Sequence, residues 1–188
     1  MTARFGRGFV PLLHREWPCA PAQPYRKTYS LKPGESWFDA ATTDKQSEHY
    51  VRDNAGIVVP VGVLVARELK ADGADDAVFV EIWGGGRKVE LVNQDLICVA
   101  RIVDGVTDSV EHGVETVRIL TRVYERRGNF GGVPDVIAVF PDGRIAAREI
   151  KRAGKDALQP NQHACADTLR DLFGWKLDLA VVEWRCRE

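Results

Sequence analysis

Apolar and polar positions follow different periods in the two halves of this 188-residue chain. From Ile57 to Leu64 the run IVVPVGVL is almost continuously aliphatic and β-branched, interrupted by Pro60 and Gly62, which predicts an edge or bent strand. AVFVEIWGGGRKVELV and QDLICVARIVDG follow as strand-like runs, joined by Gly-Gly-Gly and Asn-Gln-Asp turn material. Residues 36–106 are therefore expected to form a small antiparallel, β-rich subdomain. Ahead of them, residues 1–35 (RFGRGF, WPCAPAQP, KPGES) are rich in Pro, Gly and Arg, hold no sustained period and read as an irregular N-terminal arm. RFGRGF is either a basic-aromatic contact for nucleic acid or a simple terminus.

After Gly105 the period becomes helical. In SVEHGVETVRILTRVYERR, Ser109 to Arg127, an apolar stripe of Val117, Leu120 and Tyr124 is edged by Val114 and Val123. Glu115, Arg118, Arg122 and Arg126 share the opposite face, and Gly128 is a suitable stop. GGVPDVIAVFPDGRIAAREIK then sets two apolar runs on either side of a Pro-Asp-Gly turn. A second helix is expected from Pro160, with Cys165, Leu169, Leu172 and Phe173 facing inward and Gly174 closing it. LDLAVVEW supplies a last strand over 177–184. Residues 107–188 thus read helix, strand, strand, helix, strand: an α/β (α+β) unit with a mixed sheet flanked by helices.

Composition narrows the classes without choosing among them. With 45% hydrophobic residues, 28% charged and a net charge of −1, the chain supports one core, or one core with an appended subdomain. Overall charge neither drives nor opposes nucleic-acid binding, so a local patch would have to carry it. Cys19, Cys98, Cys165 and Cys186 show no C-x-x-C pair, so free thiols are expected rather than a zinc site or a disulfide framework. No apolar stretch approaches the roughly 20 residues that cross a bilayer, and the expected location is cytoplasmic, with no membrane partner.

The hairpin is where chemistry enters. If Pro141-Asp142-Gly143 is a three-residue turn with Gly143 left-handed, Phe140 pairs with Arg144 and Asp135 falls opposite Glu149. Alternation then gathers Asp135, Ile137 and Val139 on one face with Ile145, Ala147, Glu149 and Lys151. That face is apolar near the turn and charged at its open end. Two facing carboxylates repel unless one is protonated or a cation lies between them. Completed by water and phosphate oxygens, they suit Mg²⁺, and Lys151 can orient a water or neutralise a phosphate. The plain alternative is a solvated strand end, since Glu-x-Lys is common on its own.

The wider pattern, G-V-P-D, an apolar strand, a turn, E-I-K, then K-D-x-L and Gln162, resembles the PD-(D/E)xK nuclease superfamily. Within it the likeness is to the virus-type replication-repair nuclease (VRR-NUC) domain, over roughly residues 111–184, through Gly132, Pro134, Asp135, Glu149, Lys151, Asp156, Leu158 and Gln162. The resemblance implies a restriction-endonuclease-like fold and hydrolysis of DNA phosphodiesters with Mg²⁺ or Mn²⁺. It implies Asp135, Glu149 and the main-chain carbonyl of Ile150 as metal ligands, Lys151 as the catalytic lysine, and Gln162 as the glutamine on the following helix. The family's glutamate on the helix before the hairpin falls on Glu115, with Glu111 one turn earlier as the alternative.

Arg118, Arg122, Arg126 and Lys155 would contact the DNA backbone, although the arginine stripe also reads as a solvated face. His112 nearby reads as surface or capping. Branched or junction DNA is the implied substrate. A homodimer is the expected assembly, because two strands need two sites. Two rival readings remain beside the endonuclease: a non-catalytic DNA-binding or assembly module of the same fold, and a sequence-specific restriction-type enzyme with residues 36–106 as its reader.

Overall fold

The computed structural model describes residues 12–109 and 112–187, so RFGRGF and Glu111 lie outside the described residues. Its elements are β1 (Leu12–Pro18), β2 (Gln23–Arg26), β3 (Thr42–Ser47), β4 (Tyr50–Arg52), β5 (Val58–Pro60), α1 (Val61–Ala71), β6 (Asp76–Trp83) and β7 (Lys88–Asn93). They continue with β8 (Cys98–Val103), β9 (Val106–Ser109), α2 (Val114–Arg127), β10 (Val136–Val139), β11 (Ile145–Arg152), α3 (Pro160–Phe173) and β12 (Leu177–Arg187). Eight strands form one mixed sheet in the order β1-β12-β11-β10-β6-β7-β8-β9. β11, β12 and β1 are mutually parallel, and the remaining pairings are antiparallel. The protein is α+β, with three helices flanking this sheet.

Each sheet face has its own core. Val136, Ala138, Phe140, Ala146 and Ile150 turn toward α1, where they meet Val61, Val65, Leu69 and the aromatic pair Trp37 and Tyr50. Ile137 and Ile145 turn the other way, onto Ile119, Leu120 and Val123 of α2 and Cys165 and Leu169 of α3. Thr116 joins the buried side of α2, its hydroxyl donating to Asp76 Oδ2 at 2.9 Å, while Val114 is left exposed. No helix among the described residues is long and apolar enough to cross a membrane.

Several expectations change. IVVPVGVL gives only the short β5; from Val61 the chain is helical, because Val61 to Ala66 and Leu69 are all buried. With its first six residues all buried, the start of α1 has no polar position and mimics a strand. Gly62 is required there, since a Cβ would lie 2.1 Å from the Phe79 ring. Residues 1–35, expected to be an irregular arm, contain β1, which pairs in parallel with β12 from Leu12↔Val181 to Pro18↔Arg187. The division at residue 106 falls inside a continuous sheet, where β10 pairs with β6. The thiol expectation is corrected as well: Cys19 and Cys186 form a disulfide with Cα atoms 5.1 Å apart, and only Cys98 and Cys165 are free. The β1–β12 ladder brings the two partners together across 167 residues of sequence.

Candidate active site

The β10–β11 register runs Val136↔Arg148 to Val139↔Ile145, and Phe140 N–H donates to the Arg144 carbonyl at 2.9 Å. That is the pairing implied by the Pro-Asp-Gly turn, with Gly143 left-handed at φ 78. Asp135, one residue before the ladder starts, therefore faces Glu149. β11 runs on past the start of β10, so the sheet opens there into a cleft of ≈ 470 Å³. Asp135, Glu149, Ile150, Lys151, Lys155 and Gln162 all line it.

Geometry and burial make the floor of this cleft electrostatically tense. Glu149 is 1% exposed and Lys151 is 8% exposed. Lys151 Nζ lies 2.7 Å from Glu149 Oε1, and the Gln162 side-chain amide donates to the same oxygen. Glu149 Oε2 is buried and has no hydrogen-bond partner. Asp135 Oδ2 accepts the Ile150 N–H at 2.7 Å, which fixes the aspartate against β11. Burial pushes the Glu149 carboxyl well above the usual range and the Asp135 charge adds to this, with Lys151 opposing. Burial also raises Asp135, against the pull of the Ile150 N–H and Lys151. Two facing, buried acids repel when both are ionised, and the Lys151 ammonium is one charge against two.

Gln162 is presented by the first turn of α3. Its Oε1 accepts the Gln159 N–H at 2.8 Å, closing a capping box, and Pro160 occupies the first turn. The helix start is seated on Gly132, whose φ is 82 and whose missing Cβ would lie 2.2 Å from the Asn161 carbonyl oxygen. Arg127 Nη1 donates to the Gly131 carbonyl at 2.7 Å and ties the same loop to the end of α2.

Other expected residues lie elsewhere. Glu115 is at the N-terminal end of α2, 52% exposed, paired with Arg118, and lines a second cleft with Lys70, Asp75, Asp76 and His112. That end adjoins the hairpin turn, the opposite end of β10 from Asp135, because Asp76 pairs with Val139. Arg118, Arg122 and Arg126 are exposed on α2 and none lines the main cleft; Arg122 stacks on Phe173 at 4.8 Å. Lys155 does line the cleft but is paired with Glu48.

α1, rather than α2, begins at the cleft, through Pro60, Val61 and Gly62. The structure also adds a carboxylate that the sequence reading passed over. Glu81 of β6 lines the cleft, and its pKa is raised to about 8 by burial, then by the Asp135 and Glu90 charges. Its signal was a lone acid inside the apolar run AVFVEIW.

The donor set fits a hard divalent cation in part. Glu149 Oε2 has no donor when ionised, and a proton shared with Asp135 satisfies it; a hard cation would bind the pair in that proton's place. Among the described residues no three His, Cys, Asp or Glu side chains are grouped to hold a metal ion. A cation would therefore draw its remaining ligands from the Ile150 carbonyl, water and substrate oxygens. No model of a known protein family matches this chain, and no curated protein matches it.

Proposed function

We propose that the chain is a Mg²⁺- or Mn²⁺-dependent deoxyribonuclease, with a restriction-endonuclease-like core of the PD-(D/E)xK, VRR-NUC type. The observation that carries this reading is the convergence of Asp135, Glu149 and Lys151 on one cleft floor, with Glu149 Oε2 left unpaired. Asp135 and Glu149 would hold the ion, which would supply Lewis acidity and positive charge opposite the scissile phosphate. The Ile150 N–H and the Gln162 amide orient the two carboxylates. Lys151, whose Nζ lies 2.7 Å from Glu149 Oε1, would bind a phosphate oxygen or orient the attacking water. Branched or junction DNA is the substrate that the family resemblance implies.

The test is a labelled panel of linear duplex, single-stranded, flap and four-way-junction DNA, incubated with Mg²⁺, Mn²⁺ or EDTA. Cleavage is expected with either metal and not with EDTA, and Asp135→Ala or Lys151→Ala should abolish it. Full cleavage by the Asp135→Ala protein would refute the site. One observation favours the non-catalytic DNA-binding alternative: the expected helix carboxylate is missing from the cleft, because Glu115 lines a different one. Metal-independent DNA binding with no cut in any member of the panel would decide for it.

A further inference from the structure

The mouth of the cleft holds a contact that the proposed chemistry does not use. Glu48, in the turn between β3 and β4, accepts from Arg152 Nη1 and from Lys155 Nζ on the same oxygen, Oε2, the lysine at 2.6 Å. Arg152 follows Lys151 on β11, and Lys155 lines the cleft itself. Ser47 and His49, the neighbours of Glu48, line the same cleft. The ion pair therefore bridges the entrance.

The two cations are not equally loose. Arg152 is 19% exposed in its side chain, stacks on Trp184 at 5.4 Å, and directs Nη2 to Cys186 Sγ at 3.6 Å. Its N–H donates to Asp156 Oδ2 at 2.8 Å, and its carbonyl accepts the N–H groups of Lys155 and Asp156, both at 3.1 Å. The guanidinium and the loop that carries Lys155 are thus held in place whatever Glu48 does. Glu48, by contrast, is 57% exposed on a turn. Exposed ion pairs of this kind contribute little and are readily exchanged. A guanidinium and an ammonium aimed at one oxygen form a seat for a phosphodiester oxygen, which accepts both donors as the carboxylate does.

We propose that Arg152 and Lys155 form a second phosphate subsite beside the catalytic cleft, and that Glu48 occupies it in the free protein as a displaceable gate. Resting on the nuclease reading, this subsite takes the phosphate adjoining the scissile one on the same strand. Entry of the strand expels the Glu48 carboxylate and loosens the 47–49 turn from the entrance.

The experiment measures binding of a fluorescent single-stranded DNA oligonucleotide to the full chain in EDTA, across a series of salt concentrations. Glu48→Gln should tighten binding about tenfold and steepen the salt dependence by about one released counterion. Lys155→Ala should weaken binding. In the double variant the gain from Glu48→Gln should vanish, because the freed seat has lost half its charge. An unchanged affinity in Glu48→Gln overturns the proposal. So does a gain that persists in the double variant, which marks a general charge effect, or a failure of every variant to bind. Mn²⁺-dependent cleavage of the same oligonucleotide is followed in parallel. Cleavage with no Glu48 effect removes the gate alone, whereas a coupled Glu48 effect without cleavage removes the nuclease reading and leaves the anion seat.

Discussion

Glu90 of β7 is 0% exposed, neither of its carboxylate oxygens has a hydrogen-bond partner, and it lies directly across from Glu81 on one side and Arg101 on the other. Burial raises its pKa from the ordinary 4.5 to about 8, although the Arg101 and Lys88 charges pull the other way. Below pH 4.5 the group is protonated whether the chain is folded or not, and it contributes no pH dependence. Between pH 4.5 and about 8 the unfolded chain gives up the proton while the folded chain keeps it, so stability falls as pH rises. Above about 8 both states are ionised and the full penalty remains. At roughly 1.4 kcal/mol per pH unit the whole interval is worth at most about 5 kcal/mol. Relaxation around the charge reduces this to roughly 2–4 kcal/mol, most of it lost between pH 5 and 8.

Glu90→Gln keeps the shape and cannot ionise. Its stability relative to the wild type should improve by that amount on going from pH 5 to pH 8. Urea titrations of both proteins at pH 5, 6.5 and 8, followed by tryptophan fluorescence, measure the difference directly. A difference that is the same at all three pH values would show that Glu90 is already ionised in the fold, and would refute the reasoning.

Gly132→Ala forces a side chain into a left-handed residue packed against the Asn161 carbonyl, and should cost roughly 2–4 kcal/mol. Because Gln162 follows Asn161, metal-dependent cleavage should fall as well; thermal unfolding gives the first quantity, and an unchanged midpoint would contradict the close packing. The Cys19–Cys186 bond closes a loop spanning 167 residues, so Cys19→Ser should lose up to about 5 kcal/mol by the chain-entropy argument. Denaturant midpoints for the oxidised wild type and the variant, with thiol quantification, test this, and equal midpoints would discount it.

The parts of the fold that could be read from the sequence were those fixed by local rules. The Pro-Asp-Gly turn sets the hairpin register, and period-two alternation then puts Asp135, Glu149 and Lys151 on one face. The Gln159–Gln162 helix start is likewise local, signalled by Pro160. What escaped depended on tertiary placement. The first six residues of α1 are all buried, so its apolar run looked like a strand. β1 reads LLHREWP, with charged residues at its centre, and holds its position through the ladder to β12 and the Arg15–Glu68 and Glu16–Arg185 pairs. The helix that precedes the hairpin in sequence carries Glu115, yet it begins at the end of β10 far from Asp135. Glu81 and Glu90 were each visible as a lone acid in an apolar strand, and neither position could be interpreted without knowing that the strands share a sheet with β10.

The placement of β12 between β1 and β11 bears on how the protein is made. As a ribosome delivers the chain, β11 is complete by residue 152, but its outer neighbour, residues 177–187, arrives only later. Until then the strand bearing Glu149 and Lys151 has an open hydrogen-bonding edge, and β1 has no partner at all. Pairings this distant in sequence are slow to form. A nascent chain therefore leaves β11 open to other sheet edges until residues 177–187 emerge, and β1 waits longer still.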